Sequence, residues 1–326
     1  MPTPTSNPAS HPEHGDPLRG VLLLLAALFL FAGMDTTTKV LTAHYEAPRV
    51  VAMRYILHGL LMVLLLAPTQ GRRLVQTQRT GLVLVRAASL AIASLLVGLA
   101  LQRMPVAETT SIVFLAPLLV VLLARPVLGE RIGLLGWLAA VTGFLGVLLI
   151  VRPASGLDTV GVFCALGAAG ATVVYFLLSR VLVRTEQTLS LLFYAALVGA
   201  VGFGLELPWS WGGPAPSRLE LILFLFVGSA AGLGHFLMTA AYRHAPASLL
   251  APMNNLQLLW AGLLGWLVFA HVPDHLSLLG MGVVAASGAM SALAPRWSDA
   301  RFLSRWPRPA MPAFQPLTST PVSLEK

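Results

Sequence analysis

The chain has 326 residues, of which 56% are hydrophobic and only 10% charged, with a formal net charge of +8 and a mean hydropathy of +0.79. Soluble domains carry about 25% charged residues, so the composition excludes one, and with it a soluble basic face for nucleic acid. The single cysteine, Cys164, lies in an apolar run and excludes an intrachain disulfide.

Residues 1–17 are polar and rich in Pro and His, and read as a disordered cytoplasmic tail. They lack the joined basic region, short apolar core and cleavage site of a signal peptide, so an uncleaved first helix is expected next. Ten apolar segments follow, near 20–38, 48–67, 81–101, 106–124, 132–151, 159–179, 189–208, 219–241, 247–270 and 276–294. About 20 residues at 1.5 Å each match a hydrocarbon core about 30 Å thick. Backbone groups in lipid must bond internally, so each segment is expected to be a helix. The remainder, 295–326, reads as a basic, Pro-rich cytoplasmic tail. Within it Arg296, Trp297, Arg301, Phe302, Arg305 and Trp306 suit a short helix at the lipid headgroups.

The chain also repeats itself at an offset of 141 residues: Gly20 matches Gly161, Lys39-Val40-Leu41 matches Arg180-Val181-Leu182, Ala100 matches Ala241, and Pro105 matches Pro246. Each copy holds five apolar segments, an odd number, so the second must enter the membrane from the opposite side. The expected fold is therefore an all-α integral membrane protein with ten transmembrane helices in two inverted five-helix repeats, 18–151 and 159–294. Such halves are the architecture of alternating-access carriers, with the solute site between them near the bilayer midplane.

Charge sets the orientation. With both termini cytoplasmic, the inside segments carry fourteen Lys and Arg residues against five outside, leaving Arg54 and Arg86 within spans. The positive-inside rule thus favours both ends in the cytoplasm, and a bacterial inner membrane is the expected location.

Several motifs in order resemble the EamA-type carriers of the drug/metabolite transporter superfamily over residues 18–294. They are Met34-Asp35 with Lys39, Met53-Arg54-Tyr55, Met104-Pro105, Phe114-Leu115-Ala116-Pro117, Leu128-Gly129-Glu130-Arg131 and Gly143-Phe144-Leu145-Gly146-Val147. In the second half they are Ala245-Pro246-Ala247-Ser248, Ala251-Pro252 and Val272-Pro273-Asp274. The sub-pattern of Asp35, Lys39 and Arg54 is similar to members labelled as S-adenosylmethionine or riboflavin carriers. The resemblance implies a central cavity ringed by spans 1, 3, 4, 6, 8 and 9, with Arg54 pointing toward it. One departure stands out: Gly129-Glu130 corresponds, at the same offset, to Ala270-His271, so a role needing an acid at both sites is in doubt.

Ionisable residues inside spans are costly and mark candidate sites. Arg54 and Tyr55 in span 2 and His235 in span 8 are candidate substrate contacts; for Arg54 a structural pairing with Asp35 is the competing role. Span 9 adds Asn254, Asn255, Gln257 and Trp260, whose amides and indole suit a zwitterionic or heterocyclic metabolite, although interhelical hydrogen bonding uses the same amides. Pro252 and Pro117 each remove a backbone donor and favour a kink. Asp35, Lys39 and Glu108 are candidates for gating or proton coupling. Asp35 and Lys39 share a helix face, which also permits a local ion pair, and Glu108, three residues past Pro105, fits helix capping as well. His58 and His235 read as buried hydrogen-bonded groups or as a proton relay. Arg86, beside a basic loop, reads as snorkelling. Gly228 and Gly232 form a GxxxG packing signal.

No H-E-x-x-H, G-x-S-x-G, P-loop or Cys/His metal cluster occurs in the sequence. The expectation is a secondary transporter of a small metabolite or drug-like solute, not an enzyme, with no cofactor, no metal and no nucleic-acid partner. Its partners are the solute and membrane lipid, with proton coupling or exchange as the source of work. An integral-membrane enzyme or a non-transporting membrane subunit is the alternative. Solute identity, direction, coupling ion and oligomeric state are left open.

Overall fold

The computed structural model describes residues 17–128, 134–152, 156–182, 185–210, 215–244, 250 and 253–293. Most of the expected N-terminal tail, the C-terminal tail with its headgroup helix, Gly129-Glu130-Arg131, Ala245-Pro246-Ala247-Ser248 and Ala251-Pro252 lie outside the described residues.

The described residues are helical, with no strand among them. The first copy gives α1 (Pro17–Thr42), α2 (Ala47–Gln70), a 3-10 turn (Gly71–Leu74), α3 (Thr80–Arg103), α4 (Val106–Val113), α5 (Leu115–Leu128) and α6 (Leu134–Val151). The second gives α7 (Thr159–Leu182), α8 (Thr188–Ser210), α9 (Arg218–His244), α10 (Leu256–Phe269) and α11 (His275–Leu293). Local chemistry starts these helices where it should. Asp158 accepts the Gly161 N–H at 2.7 Å to open α7. Ser217 and Glu220 exchange backbone-to-side-chain bonds of 2.8 and 3.3 Å to open α9 as a capping box. Asp274 accepts the Ser277 N–H at 2.8 Å ahead of α11.

Span 4 is not one helix. It breaks at Phe114, between α4 and α5, because Pro117 has no N–H to offer the Val113 carbonyl one turn back. Span 9 breaks too: Asn254 and Asn255 form a turn in which Gln257 and Leu258 bond back only three residues, at 3.1 and 3.0 Å. Phe114 and Asn255 are 141 residues apart, so both copies break their fourth helix at the same position.

The packing carries the same relation. The most extensive helix pairs are α1 with α9, α3 with α7, α6 with α11 and α2 with α8. Exchanging the two copies turns the first pair into the second and leaves the other two unchanged. Smaller links obey it as well. The α7–α8 turn sends Glu186 to the start of α3, where it accepts the Gln78 and Arg79 N–H groups at 3.0 and 2.8 Å. The α1–α2 turn sends His44 to within 3.6 Å of Glu220 near the start of α9, and Arg79 and Glu220 are themselves 141 residues apart. Glycine permits a close crossing of α11 on α6, where a Cβ at Gly280 would lie 2.7 Å from the Gly146 carbonyl.

Seven helices among the described residues are long and apolar enough to cross a membrane, and three shorter apolar stretches lie at Val106–Val120, Leu256–Phe269 and His275–Met290. In the seven, windows of mean hydropathy 1.9–2.4 are only 33–39% buried. Apolar side chains such as Leu138, Phe163, Val201, Ile222 and Leu267 face outward. A surface this apolar is stable only against lipid, so the chain is an integral membrane protein.

Candidate functional site

Polar groups inside the bundle form two clusters. The first gathers around Arg54, seven residues into α2 and about 10 Å from its start at 1.5 Å per residue. Its guanidinium lies 5.0 Å from the Tyr55 ring centroid, and Nη1 approaches the Met34 Sδ, a weak acceptor, at 4.0 Å. The half-buried Asp35 carboxylate of α1 faces the Arg54 charge, yet no ion pair within 4 Å joins it to Arg54 or to Lys39 among the described residues. The local Asp35–Lys39 pairing that their spacing suggested is therefore not formed. His58 of α2 and His235 of α9 lie nearly parallel at 6.4 Å, and Phe31 of α1 meets the His235 ring edge-on at 5.0 Å. The Gly228/Gly232 spacing of α9 opens the seat for this face of α2: Gly232 borders the His58 ring and Gly228 borders Leu57. Tyr55 is committed to α3, its hydroxyl 2.8 Å from Ser94 Oγ and donating to the Leu90 carbonyl at 3.3 Å.

The second cluster lies at one end of the bundle. Lys39 Nζ donates to the Leu101 and Met104 carbonyls at 2.9 and 2.7 Å. These are last-turn carbonyls of α3, which a helix leaves unbonded and which attract a cation. The Phe269 ring of α10 lies 5.6 Å from the same ammonium. Glu108, only 3% exposed in α4, places Oε1 2.9 Å from His271 Nε2. Its other oxygen, Oε2, is buried without a hydrogen-bond partner among the described residues. His271 was visible in the sequence only as the departure from an acid at the Glu130-equivalent position. Its partner sits 163 residues away, which no spacing argument reaches.

The span 9 residues scatter. Trp260 meets Phe29 of α1 edge-on at 5.1 Å. Asn255 donates to the Ala285 carbonyl of α11 at 3.0 Å and so ties α10 to α11. Asn254 and Gln257 are half-buried at the break.

Arg86 is not a snorkelling residue. It is 5% exposed and donates to Ser179 Oγ at 2.7 Å, to the Leu191 carbonyl at 3.0 Å and to the Tyr175 hydroxyl at 3.0 Å. It also lies 4.4 Å from the Tyr175 ring centroid. Every face of its fork is engaged, in contrast to Arg54.

A cavity of about 250 Å³ lies between α5 and α6, lined by residues including Leu118, Leu122, Trp137, Val141 and Phe144. Its walls are apolar, some of them outward-facing such as Trp137, Val141 and Phe144, and suit lipid tails.

A duplicated, lipid-facing helical bundle with charged groups held inside defines a polytopic membrane protein. The EamA-like transporter family profile matches residues 18–152 and 159–293, and the chain belongs to that family. It is 30% identical over 282 residues to a pseudopaline exporter of Pseudomonas aeruginosa strain UCBPP-PA14, covering 83% of this chain and 95% of that one. A riboflavin transporter of Brucella anthropi is 28% identical, covering 77% and 90%, and an S-adenosylmethionine uptake transporter of Rickettsia felis is 25% identical, covering 82% and 90%. A solved crystal structure superposes with a TM-score of 0.62 at 19% identity, over 84% of this chain and 96% of that chain, which supports the fold alone.

Proposed function

We propose that this protein is a secondary carrier that moves a small polar metabolite across the bacterial inner membrane by alternating access. In this reading its ten spans form two inverted five-helix repeats, 18–151 and 159–294, flanked by cytoplasmic tails at 1–17 and 295–326. Support comes from the 141-residue repeat, from fourth helices broken at equivalent positions and from packing that survives exchange of the copies. The excess of inside Lys and Arg supports cytoplasmic termini. Relatives named for pseudopaline, riboflavin and S-adenosylmethionine support small-molecule transport and include both an exporter and an uptake carrier.

The observation that carries the solute-binding role is Arg54, whose side chain is 7% exposed and meets no carboxylate within 4 Å among the described residues. A buried guanidinium without a facing carboxylate is costly, and a solute carboxylate or comparable acceptor would complete it bidentately. Asp35 across the gap suits a positive group on the same solute, with Tyr55 and His235 flanking it. Gln257, Asn254 and Trp260 would contact the solute where the α10 break exposes backbone groups, while Asn255 serves the α10–α11 joint. With no nucleotide motif, work comes from the solute gradient or from protons taken by Asp35 or Glu108. The test is solute counterflow into liposomes carrying the full chain and loaded with a metabolite mixture. Accumulation of a small polar solute is expected, and its absence with folded protein would refute the carrier reading.

A further inference from the structure

Glu108 and His271 both sit at the ends of half-helices. Glu108 is in the first turn of α4, which stops at the Phe114 break, and His271 follows α10, which starts at the Asn254–Asn255 break. The two half-helices pack on each other, α4 running up to its break and α10 running on from its own. Breaks of this kind are where a membrane helix bends without losing its remaining hydrogen bonds.

The seat of His271 is built with care. Ala270 adopts a left-handed conformation (φ 53°), its N–H reaching the Trp266 carbonyl at 2.8 Å while the His271 N–H reaches Gly265 at 3.3 Å. This helix stop usually requires Gly, yet here Ala holds it and aims the next side chain at Glu108. Three residues on, Asp274 accepts from Arg152 at 2.8 Å, so the same turn is bound twice to the first copy. Lys39 on α1, seated on the α3 carbonyls, is a charged group that interacts electrostatically with Glu108. In the sequence, the 141-residue offset matches Glu108 to Leu249 and His271 to Glu130, so the acid–histidine pair is not repeated in the other copy.

Resting on the carrier reading above, we propose that Glu108, His271 and Lys39 form a one-sided latch. It holds the half-helices α4 and α10 together and closes the Lys39 end of the solute path. Lys39 anchors α1 to α3, and parting of Glu108 from His271 opens that end.

The test uses accessibility, which needs no known solute. In the full chain with Cys164→Ser, Ser111→Cys places a thiol three residues below Glu108 on the same helix face, at a position now 0% exposed. In liposomes, a membrane-impermeant maleimide added from the Lys39 end should label this thiol slowly. His271→Ala should raise the rate by about tenfold or more, the scale of one charge-assisted hydrogen bond. Glu108→Leu, the residue the other copy carries, should do the same and serves if His271→Ala misfolds. His271→Gln keeps a donor for Glu108 and should stay near the parent rate. Parent-rate labelling in both His271→Ala and Glu108→Leu would overturn the latch, as would equal rates in His271→Gln and His271→Ala. Counterflow on the same vesicles reports the carrier reading separately: its failure there leaves the labelling result standing.

Discussion

Replacing Arg86 by Ala removes three hydrogen bonds and a ring contact that join α3 to α7 and α8. Hydrogen bonds from charged donors contribute about 1.5–3 kcal/mol each in soluble proteins, whereas interhelical bonds in membranes average about 0.6 kcal/mol. Three bonds therefore bracket the loss between about 2 and 9 kcal/mol, and the cation–π contact adds about 0.5–2 kcal/mol. At about 2–4 °C per kcal/mol, even the lower bound lowers the melting temperature by about 4 °C or more. Arg86→Lys keeps the charge but loses the planar fork that reaches Ser179, Leu191 and Tyr175 together, so it should fall between wild type and Arg86→Ala. The assay is thermal unfolding of the purified protein in detergent, followed by tryptophan fluorescence and by size-exclusion recovery. A melting temperature for Arg86→Ala within about 1 °C of wild type would refute the reasoning and return Arg86 to a snorkelling role.

Asp274 is held at a pKa of about 2 by the Ser277 N–H and by Arg152. A depressed carboxyl contributes stability above its unfolded value and loses it as pH falls toward its folded value. The stability advantage of wild type over Asp274→Asn should accordingly shrink between about pH 4 and pH 2, read by unfolding at each pH; a constant difference would contradict the capping role. Gly280→Val would push a side chain into the Gly146 carbonyl and Ile150, and should destabilise by about 1–3 kcal/mol. Unchanged unfolding of Gly280→Val would show that α6 and α11 do not cross as closely as described.

The apolar segments were legible because lipid demands long apolar runs, and the seven helices long enough to cross a membrane fall within a few residues of them. The break in span 4 was legible too, since Pro117 announces its missing donor. The polar interior was harder. Asp35 and Lys39 invite pairing by their spacing, but Lys39 goes instead to the α3 carbonyls that the fold brings beside it. Glu108 looked like a helix-start acid because Pro105 precedes it, and its engagement with His271 depends on the fold bringing α4 to the end of α10. Arg86 read as snorkelling because a basic loop stands beside it in sequence. Only the fold brings Ser179, Tyr175 and Leu191 of α7 and α8 to its guanidinium.

The most direct test of the account compares solute counterflow by wild type, Arg54→Ala and Arg54→Lys in liposomes, with folding checked by size exclusion. Loss of one to two charge-assisted bonds should weaken apparent solute affinity by about 10- to 100-fold in Arg54→Ala, with Arg54→Lys also impaired. Wild-type affinity and rate in a folded Arg54→Ala protein would contradict the claim that this buried guanidinium is the solute anchor.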